Sequence, residues 1–191
     1  MSVKYTMVFN ALLQKPKNVT FESQEKGEKV YFILRRHPIT NIGWLFFSLV
    51  LIVIPLAYLA FAHNLEDTFI IRLNPNYEFI LIIMWYSLTM LYTFESFLMW
   101  YFSTYIITDK RVIDVDFTGL WGKRVSEAPL DNVEDATYQT RSFLNILFDY
   151  GDIFMQTAAE KTEFEFDSVP KPGMVHDTLT DLVEARKRRY R

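Results

Sequence analysis

Cysteine is absent from all 191 residues, which excludes disulfides, thiol nucleophiles and thiolate metal sites together and fits a domain in a reducing compartment. Histidine is scarce. His37, His63 and His176 are scattered, and no two share a metal-ligand spacing such as i, i+4, so no metal or cofactor is expected. No carboxylate pair stands near a histidine or nucleophile in a catalytic pattern, so no catalytic residue is expected and the chain reads as non-enzymatic. Charge is also missing locally. Residues 39–62, ITNIGWLFFSLVLIVIPLAYLAFA, contain none, although 23% of the whole chain is charged and 50% is apolar. The average therefore conceals two kinds of chain.

As a helix rising 1.5 Å per residue, residues 39–62 reach about 36 Å, enough to cross a ~30 Å hydrocarbon core with tilt. Residues 77–102, YEFILIIMWYSLTMLYTFESFLMWYF, form a second span with a carboxylate, Glu95, inside it. Pro55 is tolerable in the first span, because neighbouring groups in a membrane helix can re-satisfy the carbonyl it frees. Neither span has the length or flanks of a cleaved signal peptide. Between them, residues 63–76 hold Arg72 as the only strong base, whereas Lys26, Lys29, Arg35 and Arg36 precede the first span and Lys110 and Arg111 follow the second. The positive-inside rule then puts the loop outside and both termini in the cytoplasm at the cell (inner) membrane. The expected organisation is a cytoplasmic segment at 1–38, spans at 39–62 and 77–102, an external loop at 63–76 and a cytoplasmic domain at 103–191. The opening MSVKYTMVFNALLQKPK has too weak a period to assign.

Past Phe102 the pattern breaks into short segments. Val112, Asp114 and Asp116 alternate with Ile113, Val115 and Phe117, the period of a half-buried strand, between turns at Asp109–Lys110 and Thr118–Gly119. Further strands are expected at Trp121 to Ala128, Val133 to Thr140, Asp152 to Ala158 and Glu163 to Asp167, with a last turn at Ala159–Glu160–Lys161. SFLNILF reads as one or two helical turns whose apolar side chains would plug a barrel's open end. In the closing stretch Pro172 can start a helix, and Val175, Leu179, Leu182, Val183 and Arg186 fall on one stripe.

Two apolar helices, then IITDKRVI, PLDNVEDATY, FDYGDIFMQTA and a terminal amphipathic helix, all preceded by GEKVYFILRRHP, resemble the bacterial PH-like domain family of the YdbS and YdbT type. The resemblance runs from about Glu25 to Glu184. It implies an α+β fold, a two-helix transmembrane hairpin followed by a PH-like bent β-barrel capped by the C-terminal helix. It carries over no catalytic residue, only structural positions: Thr108, Asp109 and Arg111 at the first hairpin, and Gly151.

A phosphoinositide-reading PH domain needs a basic pocket. From Thr104 to Ala185 there are seven Lys or Arg against sixteen Asp or Glu, so the body of this domain should be repelled by anionic lipid. Two basic groups remain as candidate lipid contacts: Lys110, Arg111, Lys123 and Arg124 on the hairpins, and Arg186, Lys187, Arg188 and Arg189 in the tail, where each charge gains about 1 kcal/mol at an anionic leaflet. Glu95 is costly inside a span and has three readings: interfacial or protonated, in helix or oligomer contact with hydroxyls such as Thr93 and Ser96, or in ion or proton handling. Asp149–Tyr150–Gly151–Asp152 lacks the ligand pattern of a calcium loop and reads as a tight turn. The pairs Asp114 with Asp116 and Glu163 with Glu165 read as solvated sheet faces. The leading expectation is a membrane-anchored interaction or scaffold module that binds a protein partner or itself, with no nucleic acid partner. The alternatives are lipid or small-ligand binding at the inner leaflet and a transporter or enzyme-complex component using Glu95.

Overall fold

The computed structural model describes residues 11–16, 21, 23–62, 74–119, 122–158 and 163–189. Most of the expected loop 63–76, with His63 and Arg72, lies outside the described residues, as do Trp121, the expected turn Ala159–Glu160–Lys161 and Arg191. The chain divides into two compact units, residues 41–98 and residues 1–40 with 99–191.

The first unit is built from α1 (Asn41–Ala62) and α2 (Pro75–Phe102), the latter passing into the second unit at Met99. Both helices are long and apolar enough to cross a membrane. Most of their large side chains, from Phe46 on α1 to Met90 on α2, are exposed, whereas the buried positions among the described residues are Pro55 and the small polar Ser48, Thr89 and Ser96. Small interior residues let two helices approach closely where apolar burial gives no preference between partner helix and lipid. Thr93 Oγ1 lies 2.9 Å from Ser48 Oγ and 2.8 Å from the Thr89 carbonyl. Having one proton, it donates to the carbonyl and accepts from Ser48. Pro55 stands inside α1 and removes the donor for the Leu51 carbonyl four residues back. The indole N–H of Trp85 donates to that carbonyl at 2.8 Å, and the Tyr86 hydroxyl donates to the next one, of Ile52, at 3.2 Å. The freed acceptor is thus satisfied from the neighbouring helix.

The second unit begins with β1 (Leu12–Gln14) and β2 (Val30–Leu34), which precede α1, and resumes after α2 with β3 (Thr104–Thr108), β4 (Arg111–Phe117) and β5 (Lys123–Pro129). These make one antiparallel sheet in the order β1-β2-β3-β4-β5. Leu12–Gln14 and Val30–Leu34 therefore do more than precede the first helix. Leu34 pairs with Tyr105, so the helices are an insertion between two adjacent strands, and the chain leaves and re-enters the sheet at neighbouring positions. A second sheet contains β6 (Val133–Gln139), β7 (Tyr150–Thr157) and β8 (Glu163–Pro170), with the short helix α3 (Phe143–Leu147) between β6 and β7 and α4 (Pro172–Arg189) closing the chain. Five of the strands, β4 to β8, start or end within a few residues of the sequence expectation. The barrel does not appear in that form: the described strands give two separate sheets, and no ladder joins β5 to β6.

The core lies between the sheets and α4. Phe32, Leu34, Tyr105, Ile107 and Val112 from the first sheet meet Ile153, Met155, Phe164 and Phe166 from the second, and Val175, Leu179 and Val183 from the expected stripe on α4. The outer face of the first sheet is also covered, by Phe21 over Ile33, Ile106, Ile113 and Val115. Burial on both faces explains why β4 is apolar at Val112, Ile113 and Val115 instead of strictly alternating. Two expectations fail here. Asp114 is not on a solvated face; it sits half-buried opposite Tyr105 on the inner side of the sheet. The apolar residues of SFLNILF plug nothing either: Phe143, Leu144, Ile146 and Leu147 are all exposed.

Candidate functional site

The second unit has two distinct ends, which the strand registers define. At one end the chain passes to and from the helices. There the Trp100 indole donates to the Arg36 carbonyl at 3.0 Å, the Phe102 and Phe117 rings lie 5.2 Å apart, and the Ser103 hydroxyl accepts from the Phe117 N–H. The other end carries the β3–β4 hairpin and the residues that lead into β2.

A polar cluster occupies the exit end. Arg36 Nη2 contacts Asp167 at 2.9 Å and Asp116 at 3.7 Å, and its Nε reaches the Tyr105 hydroxyl at 3.3 Å. That hydroxyl also accepts from the Asp167 N–H at 3.1 Å. Burial raises the Tyr105 pKa to about 12, against the opposing effect of Arg36. Asp114 belongs to the same cluster. Burial, then the neighbouring Asp116, pushes its carboxyl up to about 7, and its Oδ1 is buried with no hydrogen-bond partner among the described residues. His37 donates its backbone N–H to the Ser168 carbonyl and stacks on Tyr150 at 5.0 Å, 11° from parallel. Burial lowers the His37 pKa against the pull of Asp149. Arg35, buried, lies over the Tyr101 ring at 4.5 Å.

At the far end, Glu28 takes Arg111 in a two-pronged pair, Nε to Oε1 and Nη2 to Oε2, both at 3.1 Å. Arg111 also contacts Glu127 at 2.7 Å and the Ser23 carbonyl, while Lys110 pairs with Glu25 at 2.6 Å. Burial alone would raise the Glu28 carboxyl, but hydrogen bonds from Arg111, the Glu25 N–H and Thr108 outweigh it and hold it below the usual carboxylate range. Thr108 Oγ1 accepts from the Lys110 and Arg111 N–H groups, and Asp109 Oδ1 accepts from the Lys29 N–H at 2.8 Å. The three hairpin positions implied by the resemblance thus tie the lead-in segment to the sheet. Gly151 has an equally plain role: a Cβ there would lie 2.7 Å from the Gln139 carbonyl oxygen.

The expected basic residues do not converge. Arg111 pairs with Pro129 at one end of β4 and Phe117 with Lys123 at the other, so the two hairpin pairs stand about 20 Å apart at 3.4 Å per residue. Lys110 and Arg111 are held internally at the far end; Lys123 and Arg124 are exposed at the exit end. The tail follows α4 away from the exit, from Pro172, whose ring packs near Gly151, to a last turn about 25 Å on. There Arg186 makes a two-pronged pair with Asp131, Lys187 reaches the Glu134 carbonyl and Arg188 pairs with Glu184. Arg189 ends the helix. Glu95 is half-buried on α2, and the Thr93 hydroxyl expected beside it is engaged with Ser48 and Thr89. Sequence reasoning missed Glu28, Arg36, Tyr105 and Asp167 as partners. The available signal was two conspicuous charges, Glu28 and Arg36, bracketing the apolar run VYFIL.

No curated protein matches the chain. Among solved structures it is similar over 42% of its length to a DUF1696 family protein with a pleckstrin-homology domain from Shewanella loihica PV-4, at 13% identity, 70% of that chain and a TM-score of 0.36. It is also similar over 42% of its length to a pleckstrin homology domain from Shewanella amazonensis SB2B, at 18% identity, 66% of that chain and a TM-score of 0.33. The family model described as Bacterial PH domain matches residues 37–183, which takes in both apolar helices, seven of the strand and helix elements that follow them and most of α4. The chain belongs to the bacterial PH domain family.

Proposed function

We propose that this protein is a two-pass membrane protein whose PH-like unit lies at the cytoplasmic face of the cell (inner) membrane and serves as a non-enzymatic interaction module, for a protein partner or a second copy. The observation that carries the reading is the insertion of two long helices, apolar over almost their whole exposed surface, between the paired strands β2 and β3. Water does not tolerate an apolar surface of that extent, whereas a bilayer requires it. An interaction role draws support from β5, an edge strand exposed along most of its length, whose outer backbone edge pairs with no strand among the described residues and can take a partner strand.

The test uses the absence of cysteine. Single cysteines in the full chain at Lys123 (Lys123→Cys) and Val125 (Val125→Cys) are treated with a membrane-impermeant maleimide in intact and permeabilised spheroplasts. Labelling only after permeabilisation is expected, and labelling of intact spheroplasts overturns the orientation. Extraction of the protein by carbonate overturns the anchor.

A second reading, contact with anionic headgroups, rests on Lys123 and Arg124, the two candidate bases that lie exposed at the exit end next to Phe117. It predicts that the double Ala variant loses binding of the reconstituted chain to anionic lipid and that Arg186→Ala does not.

A further inference from the structure

Among the described residues of the second unit, exposed large apolar side chains stand apart at Met99, Phe102, Val125 and Tyr138 but form a continuous run in one stretch. Phe143, Leu144, Ile146, Leu147 and Phe148 are 46% to 75% exposed. α3 keeps its shape without burying these side chains: the Ser142 hydroxyl caps the Leu144 N–H and the Phe148 N–H closes onto the Leu144 carbonyl. Its conformation is set by local hydrogen bonds, and its apolar groups are left facing outward. A contiguous patch of this kind on an otherwise ordinary surface marks a contact site.

Its position identifies the contact. α3 ends three residues before Tyr150, whose ring stacks on His37, and Asp149 acts on the same histidine. His37 immediately precedes Pro38, the first residue of the apolar span. The patch therefore lies at the end of the PH-like unit through which the chain enters its anchor, and it is flanked by a cation, Arg141. A short turn of Phe, Leu and Ile beside a base has the composition of a segment that dips into the headgroup and acyl boundary.

We infer that α3 is a membrane-dipping wedge: its apolar side chains enter the cytoplasmic leaflet beside the anchor and give the PH-like unit a second attachment. This rests on the proposed anchoring. Two attachments fix the unit's tilt, so the exposed β5 edge is presented at a set height above the bilayer instead of swinging on its tether.

The full chain is reconstituted in nanodiscs of phosphatidylcholine and phosphatidylglycerol with single cysteines at Phe143, Ile146, at Lys26 in the exposed lead-in at the far end, or, as an anchor control, Leu88, each carrying an environment-sensitive fluorophore. A bilayer-confined nitroxide lipid is expected to quench the Phe143 and Ile146 labels about twofold, since interfacial segments sit ~5–10 Å deep, and to leave Lys26 unaffected. Labels at Phe143 and Ile146 that are open to aqueous iodide overturn the wedge. So do labels shielded from iodide but untouched by the nitroxide lipid, which means that a second copy or another protein covers the patch. The Leu88 label separates the two readings: quenched at Leu88 and not at α3 removes only the wedge, and unquenched at both removes the anchor with it. Because the replaced side chains are outside the core, circular dichroism of each variant should match the parent.

Discussion

The Leu51 carbonyl freed by Pro55 in α1 offers a quantitative test of how the hairpin holds together. Trp85 donates to Leu51 at 2.8 Å, and Leu51 is the acceptor left without its helical donor by the proline. In an apolar surrounding, an orphaned carbonyl costs about 1–3 kcal/mol, so Trp85→Phe should lose roughly 2 kcal/mol, part of it from the smaller ring. In a Pro55→Ala background the Ala N–H returns to Leu51, and the same tryptophan change should cost only about 1 kcal/mol. The coupling is then about 1 kcal/mol, toward the upper part of the range for hydrogen bonds between membrane helices. Tyr86→Phe is the control. Its acceptor, Ile52, keeps its own helical donor in Leu56, so that substitution should cost the same in both backgrounds. Reversible unfolding of the full chain by dodecyl sulfate in mixed micelles, followed by far-ultraviolet circular dichroism so that losing an indole does not alter the signal, gives all the free energies. A Trp85→Phe cost that is equal in the two backgrounds within about 0.3 kcal/mol refutes the account.

The PH-like unit supplies three more predictions. Gly151→Ala forces a Cβ against the Gln139 carbonyl, an immovable backbone atom, and should destabilise by about 1–3 kcal/mol in thermal melts of the detergent-solubilised chain. Glu28→Gln leaves the Arg111 guanidinium, mostly buried, without its main partner and should cost about 3 kcal/mol; because the folded pKa is depressed, the parent loses this stabilisation as pH falls below about 4.5, and a melting-temperature difference that persists unchanged into that range counts against the pair. Asp114 has the opposite sign. Its folded pKa of about 7 lies above the ordinary 3.8, so the unfolded chain releases its proton first and stability falls as pH rises between these values; Asp114→Asn should be neutral near pH 4 and about 1–2 kcal/mol more stable than the parent at pH 8, after allowance for partial solvent screening, which melts across the pH series will show.

Much of the fold was legible because it rests on local pattern. The helices are legible from their length and scarcity of charge, and the α4 stripe from its spacing, with Val175, Leu179 and Val183 reaching the core. What was illegible depended on contacts distant in sequence. β1 is three residues long in a stretch without period and is defined only by its pairing with β2. Asp114 looked like a surface acid because alternation tells which residues share a face, not which face is covered, and Phe21 covers the one opposite. The four hairpin bases looked like one pocket because turns are close in sequence, whereas the antiparallel register sends successive turns to opposite ends of the sheet. The place of α3 is illegible for a related reason: an apolar turn carries the same composition whether it fills a cavity or stands exposed on the surface.

The insertion of α1 and α2 between two paired strands also bears on how the protein is made. β2 emerges from the ribosome well before its partner β3, and on the proposed two-pass anchoring the ladder between them forms only when the segment carrying both helices has been threaded and returned to the starting side. For helices that cross a bilayer, a chain that inserted only one of them would strand β2 and β3 in different compartments, and neither the five-stranded sheet nor its core could assemble. On that proposed anchoring the domain's own folding acts as a check on translocation: a correctly returned hairpin completes the sheet, and a misdirected one is left with exposed strands for quality-control proteases to recognise.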